Sequence, residues 1–135
     1  MTNKPIYIVD DDYEDEEIII EAFNEIGINN DVIFFRDAES VIAHLRTTKE
    51  VPFIILSEVV LPKMDGFKLR ELLLKEISSE RSIPFIFWST SASPAQIKKA
   101  YELSAHGFFL KGKSFSDLKT KIKEMVSYWN DSLVP

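Results

Sequence analysis

Five short apolar runs, separated by longer stretches with a helical period, constrain the fold of this chain more than any other feature. The runs lie at residues 6–9, 32–35, 53–56, 85–88 and 108–110. They show no clear polar alternation, which is typical of strands that are covered on both faces. The pattern therefore predicts an α/β fold in which parallel strands alternate with helices.

The stretches between the runs carry apolar residues at spacings of three and four, as amphipathic helices do. Gly27 is predicted to end the first helix, Ser93-Pro94 to begin the fourth, and Ser114 or Ser116 to cap the fifth. The apolar helical positions are Ile19, Ala22, Phe23 and Ile26; Val41, Ile42 and Leu45; Phe67, Leu69, Leu72, Leu73 and Ile77; Ile97, Ala100 and Tyr101; Phe115, Leu118, Ile122, Met125, Val126 and Trp129.

Five strands and five helices predict a single doubly wound (βα)5 domain with a five-stranded parallel sheet, as in flavodoxin-like proteins. The domain is expected to occupy residues 1–135, with its core at about 5–130. No further domain follows the last helix in this sequence, so we expect a stand-alone domain that acts through a partner.

Composition and charge argue against several classes of function. The chain contains no cysteine, so it has no disulfide, thiol nucleophile or thiolate zinc cluster, which agrees with a cytoplasmic location. No apolar run approaches the roughly 20 residues that span a bilayer, so we expect no membrane contact. The formal net charge is −6, whereas direct nucleic-acid binding normally requires a basic face.

Polar residues follow the apolar runs at the positions where a doubly wound sheet places its ligand site. In such sheets the site lies outside the carboxyl ends of the strands. The residues at these positions are Asp10, Asp11 and Asp12 after the first run, Glu58 after the third, Ser89 after the fourth and Lys111 after the fifth.

These side chains predict a site that gathers a cation and a lysine around a carboxylate. Consecutive aspartates at a strand end repel each other unless a cation joins them, and oxygen ligands suit Mg²⁺. The acidic residues 14–17 have a simpler explanation, because acidic side chains favour the start of a helix. Lys111 leaves a buried strand toward the carboxylates and can balance their charge.

In this order, the residues resemble the receiver domain of two-component response regulators, and the resemblance extends from Ile6 to the last helix. Three stretches carry it. They read IYIVDDD at 6–12, LPKMDG at 61–66 and AHGF at 105–108. They look like the family's first strand with its acidic pair, the loop after its phosphoacceptor and the segment with its switch aromatic.

The resemblance implies roles for particular residues. The phosphoacceptor position is Glu58, and the phosphoryl site and switch comprise Ser89, Phe108 and Lys111. The implied Mg²⁺ ligands are Asp10, Asp11, Glu58 and the backbone carbonyl of Val60. A sensor histidine kinase or another signalling protein is the implied partner, a homodimer through the last two helices and fifth strand is also expected, and the chain is not expected to be an enzyme.

Two departures from the family pattern change the expected chemistry. Glu58 stands where the family has aspartate, and Gly112 follows Lys111 where the family usually has proline, so a cis peptide bond is not expected there. Glutamate reaches roughly 1–1.5 Å farther, and a misplacement of about 1 Å can cost around a hundredfold in rate. Our leading interpretation is a receiver that is degenerate at the phosphoacceptor and acts through protein contacts.

Three alternatives remain open at this point. One is a conventional receiver phosphorylated at Glu58 or at the neighbouring Asp10 or Asp11. Another is a small Mg²⁺-dependent phosphohydrolase of the haloacid-dehalogenase type, whose Asp-x-Asp-x-Thr/Val pattern is only half met by residues 10–14. A flavodoxin-like flavin binder is disfavoured because no loop rich in threonine and glycine follows the first run.

Overall fold

Ten elements alternate along the chain, in a computed structural model that describes residues 4–76 and 83–133. The strands are β1 (Ile6–Val9), β2 (Val32–Phe35), β3 (Ile54–Ser57), β4 (Phe85–Ser89) and β5 (Gly107–Leu110). The helices are α1 (Tyr13–Ile26), α2 (Ala38–Thr47), α3 (Gly66–Glu76), α4 (Pro94–Glu102) and α5 (Phe115–Asp131). Ile77, which the sequence pattern assigned to the third helix, lies outside the described residues.

The strands form one parallel sheet in the order β2-β1-β3-β4-β5, which confirms the predicted doubly wound topology. The three central strands β1, β3 and β4 are buried along their whole length. This explains their near-continuous apolar sequences, because helices cover both faces of the sheet. The edge strands β2 and β5 are only partly buried.

Two hydrophobic layers hold the helices against the sheet. Alternate residues of each strand face opposite layers, so Tyr7 and Val9 pack with α2, α3 and α4, whereas Ile6 and Ile8 pack with α1 and α5. In the described part of the chain, no helix is both long and apolar enough to cross a membrane.

The predicted helix ends are also observed. Gly27 ends α1 in the left-handed conformation, with a φ of 70° that glycine adopts readily. At the start of α4, the Ser93 hydroxyl accepts from the Gln96 backbone N–H and the Gln96 side chain accepts from the Ser93 N–H. Of the two candidate caps for α5, the structure uses Ser114.

Candidate functional site

Backbone hydrogen bonds fix the residues that follow β1, β3 and β5. The N–H group of each donates to a carbonyl of an adjacent strand at 2.9 Å, which extends the parallel ladder by one residue. Each side chain therefore starts from a backbone position set by the sheet. The pairs are Asp10 with Phe35, Glu58 with Val9, and Lys111 with Ser89.

The ammonium group of Lys111 lies among three carboxylates. Its Nζ donates hydrogen bonds to Asp10 Oδ2 at 2.7 Å and to Asp15 Oδ2 at 2.6 Å. It also forms an ion pair with Glu58 Oε2 at 2.8 Å. Only 7% of Lys111 is exposed, so its contacts with the buried Asp10 and Glu58 are shielded from bulk water and are stronger than surface pairs, whereas the Asp15 side chain is partly exposed. We call these four side chains the lysine cluster.

The second oxygens of the two buried carboxylates also have partners. Asp10 Oδ1 accepts from the Asp12 N–H at 3.0 Å, and Glu58 Oε1 accepts from the Val59 N–H at 3.0 Å. Every carboxylate oxygen of Asp10 and Glu58 therefore has a partner within the protein. This matters because a buried carboxylate without such partners is strongly destabilising.

Burial and charge shift the pKa values of the lysine and of Asp10. Burial raises the pKa of Asp10 above its usual value, and the charge of Lys111 only partly opposes this rise. Burial alone lowers the pKa of Lys111, but the charge of Asp10 and the contacts with the three carboxylates outweigh it and raise that pKa. The lysine therefore stays protonated at neutral pH.

The turn after β3 holds Glu58 by close backbone packing. Ser57 Oγ donates to the Glu58 carbonyl at 2.9 Å, and the Gly66 N–H donates to the Val59 carbonyl at 2.8 Å. A Cβ atom at Gly66 would lie 2.3 Å from the Glu58 carbonyl oxygen, closer than real contacts allow. Only glycine therefore fits at this position, which closes the LPKMDG stretch of residues 61–66.

A divalent cation fits the chemistry of the predicted ligands, although the side chains of Asp10 and Glu58 are turned to the lysine. Asp10 and Glu58 offer the oxygen atoms that Mg²⁺ prefers. Asp11 is exposed and is not among the partners of Lys111, and the Val60 side chain is 69% exposed. Within residues 4–76 and 83–133, no three Asp, Glu, His or Cys side chains are gathered as metal ligands.

The predicted hydroxyl residue lies at the carboxyl end of its strand, whereas the predicted aromatic residue is the second residue of β5. Ser89 is buried at the end of β4. Phe108 is half-buried in β5, with its ring 6.0 Å from that of Phe87, and packs against the layer formed by α2, α3 and α4. Their roles as sensor and switch stay predictions.

Asp15 is the member of the lysine cluster that the sequence interpretation missed. It lies in the first turn of α1, where acidic residues are common for reasons of local helix stability. Its separation from Lys111 by 96 residues gives no local signal of contact. Asp15 lies five residues after Asp10, on the helix that starts at the carboxyl end of β1. This position was the available indication that its side chain could reach the site.

Comparisons with known proteins agree with this fold and identify a family. The sequence model of the response regulator receiver domain matches residues 6–123. The probable methanogenesis regulatory protein FilR2 of Methanothrix harundinacea is 28% identical over 128 residues, which cover 92% of this chain and 82% of FilR2. Response regulator Rcp1 of Synechocystis is 27% identical over 137 residues, covering 96% of this chain and 91% of Rcp1.

Solved structures extend the comparison to three dimensions. The phosphorylated cyanobacterial phytochrome response regulator RcpA has a TM-score of 0.86 and 26% identity, and the match covers 98% of both chains. The Mn²⁺-bound form of Rcp1 has a TM-score of 0.81 and 23% identity, with 97% of both chains covered, and shows the same fold. Since the family match spans nearly the whole ten-element fold, the chain belongs to the response regulator receiver domains of two-component signal transduction.

Proposed function

We propose that this receiver domain is not switched by phosphorylation of Glu58 and instead acts through protein contacts in one fixed state. The observation that carries the proposal is the 2.8 Å ion pair between Glu58 Oε2 and Lys111 Nζ. Receiver domains are generally signalling modules rather than enzymes, and we extend this to the present chain, for which we expect no turnover of a generic aryl phosphate.

The physical argument rests on what Glu58 supplies to the lysine. A phosphoryl group carries about two negative charges and three oxygens, whereas Glu58 carries one charge and two oxygens. Phosphoryl transfer depends mainly on positioning and charge neutralisation. A carboxylate that is one methylene too long and already paired with Lys111 is poorly placed as an acceptor.

We further propose that Asp10, Asp11, Glu58 and the Val60 carbonyl hold Mg²⁺. Receiver domains bind Mg²⁺ at their acidic pocket, and the ion there offsets negative charge. Three carboxylates face one ammonium in the lysine cluster, so an excess of negative charge remains to attract a cation. Binding would use Asp10 Oδ1 and Glu58 Oε1, the oxygens that do not contact the lysine and that accept backbone N–H groups in this structure.

A magnesium titration tests the metal proposal without any assay of phosphorylation. Trp88 is buried and its ring centroid lies 5.7 Å from Lys111 Nζ, so its fluorescence should report a shift of the lysine. The titration uses a Trp129→Phe background to isolate that signal, and calorimetry runs in parallel. Heat of binding with a fluorescence change is expected, and the absence of both would contradict the proposal.

Receiver domains interact with sensor histidine kinases and other signalling proteins, and we propose such a cytoplasmic partner here. The face formed by α4, β5 and α5 is our candidate surface for this partner and for a homodimer. It exposes Ile97, Tyr101 and Leu110, which are 39%, 55% and 47% exposed. The net charge of −6 disfavours nucleic acid as the partner.

Intact-mass spectrometry tests the central proposal. Wild type, Glu58→Asp and Glu58→Gln are each incubated briefly with acetyl phosphate and Mg²⁺ and quenched cold. We expect no phosphoryl mass on wild type or Glu58→Gln, and one phosphoryl group on Glu58→Asp. A phosphoryl group on wild type that Glu58→Gln loses would overturn the proposal and make Glu58 a working acceptor.

A further inference from the structure

Asp15 makes the shortest of the three contacts of Lys111, although it belongs neither to the implied metal ligands nor to the phosphoacceptor position. Its Oδ2 accepts a hydrogen bond from Lys111 Nζ at 2.6 Å, and its side chain is 30% exposed. The neighbouring Glu14 is exposed and is not among the ion-pair partners of the lysine. Asp15 therefore differs from the other acidic residues that begin α1.

We propose that Asp15 is a positioning residue that holds Lys111 between Asp10 and Glu58 as the resident counter-ion of the site. This inference rests on the proposed function, in which the contact between Lys111 and Glu58 defines the fixed state. It adds the residue that maintains this contact. Without Asp15, the ammonium would be free to leave Glu58 and become accessible to reagents from solvent.

The need for such a residue follows from the chemistry of lysine. Its side chain has four flexible carbons and loses considerable rotamer entropy when it is fixed. A single carboxylate rarely repays that loss. Two hydrogen bonds, to Asp10 and Asp15, come from the end of β1 and from α1, and together they direct the ammonium to Glu58.

The helix that carries Asp15 is firmly attached to the rest of the fold. Ile19 and Phe23 of α1 are buried in the layer that α1 forms with α5, and Asp12 caps the helix by accepting from the N–H groups of Glu14 and Asp15. The Asp15 carboxylate is thus presented from a fixed support rather than from a loose loop.

A cavity next to the contact between Lys111 and Asp15 leaves room for the lysine side chain to move. A cavity of about 450 Å³ lies beside the ion pair, and its lining includes Asp15, Thr90, Lys111 and Lys113. The cavity opens to solvent at the surface between α1 and the start of α5. Loss of the Asp15 carboxylate would let the lysine side chain turn into this space, where its amino group can lose a proton to water and react with an acetylating reagent.

Competitive acetylation of lysines tests the proposal. The full chain is treated with limiting acetylating reagent at one fixed pH, and peptide mass spectrometry gives the labelling rate of Lys111 relative to the exposed Lys113. We expect Asp15→Asn to raise this ratio about threefold or more, the scale of a partly exposed ion pair. The charge-matched control Glu14→Gln should leave it unchanged, and Asp15→Glu should keep it near the wild-type value.

Three outcomes overturn the inference: an equal ratio in Asp15→Asn and Glu14→Gln, a raised ratio in Asp15→Glu equal to that of Asp15→Asn, or a uniform rise at all lysines. The last would mean general loosening rather than positioning. The proposed function is judged separately, by the mass of wild type after exposure to phosphodonor. The positioning role of Asp15 and the proposed function are therefore tested by different experiments, and either can fail without deciding the other.

Discussion

Lys111 is the residue on which the charges of this site converge. A buried ammonium and three carboxylates are each costly to remove from water, and their mutual contacts offset that cost. Asp10 and Lys111 are both nearly inaccessible to solvent, so neither can find water as a replacement partner. Removal of the lysine should therefore harm the fold as well as the site.

We predict that Lys111→Met lowers the free energy of unfolding by about 3 kcal/mol at pH 7, because it leaves buried carboxylates without their counter-ion. Urea unfolding followed by circular dichroism measures the change. Lys113→Met is the matched control, since Lys113 is exposed, and should change stability by less than about 0.5 kcal/mol. Equal effects of the two substitutions would contradict the importance of the lysine cluster.

At the residue scale, sequence reasoning found the members of the site that follow strands. Asp10, Glu58 and Lys111 were predictable because parallel strands bring their carboxyl ends to one edge of the sheet. Asp15 was not, because its contact depends on the rotation of α1 about its axis and on the path of the lysine side chain. Neither the rotation of the helix nor the conformation of the lysine side chain can be read from the order of residues.

At the scale of elements, the turn between β3 and α3 determines where Glu58 points. Gly66 begins α3 so close to the Glu58 carbonyl that no side chain fits between them. Gly27, in contrast, has open space around its Cβ position, and only its φ of 70° resists a side chain. Substitutions at the two glycines therefore distinguish the steric clash of an added Cβ atom at Gly66 from the unfavourable φ of a non-glycine residue at Gly27.

We predict that Gly66→Ala destabilises the protein by about 2–3 kcal/mol through forced backbone movement, and that Gly27→Ala costs about 1 kcal/mol. Thermal unfolding measures both. Gly66→Ala should also shift the amide NMR signals of Glu58 and Val59, which Gly27→Ala should leave in place. Unshifted signals in Gly66→Ala would show that the turn does not position Glu58.

His106 joins the beginnings of β4 and β5. Its backbone N–H donates to the Phe85 carbonyl at 2.8 Å, and its Nδ1 accepts from the Phe85 N–H at 3.0 Å. Burial, followed by the charge of Arg70, lowers the pKa of His106 below its ordinary value of 6.5. The unfolded chain therefore binds a proton at this residue more readily than the folded chain does.

This difference predicts a pH dependence of stability with a definite sign. Above the ordinary pKa both states are neutral at His106 and no effect is expected, whereas stability should fall as the pH drops through that value. The substitution His106→Asn keeps an acceptor for the Phe85 N–H and removes the titration. Urea unfolding between pH 7.5 and 5.5 should show a smaller loss in the variant, and an identical loss would contradict the assignment to His106.

The elements themselves were largely predictable from the apolar runs and the helix caps. The first two strands match the predicted runs, whereas β3 is displaced by one residue and ends at Ser57. Because Ser57 is polar, the pattern of apolar residues could not include it in the predicted strand. Ser57 is tolerated there because its hydroxyl donates to the Glu58 carbonyl, a contact that follows from the three-dimensional turn.

At the scale of the whole molecule, the doubly wound sheet gathers residues distant in sequence at one edge, and the α4–β5–α5 face is the surface that we propose for a partner. The central claim is that Glu58 and Lys111 hold these regions in one state, whatever the supply of phosphoryl groups. Ser89 ends β4 and Phe108 lies in β5, the strand of that face, so we expect the environments of both residues to report the state.

The amide NMR spectrum of the ¹⁵N-labelled protein in Mg²⁺, before and after addition of acetyl phosphate, tests this claim most directly. We predict that the signals of Ser89, Phe108 and Lys111 stay in place in wild type and move in Glu58→Asp. Movement of these signals in wild type, reversed when the phosphodonor is exhausted, would contradict the account and show a receiver that still switches by phosphorylation.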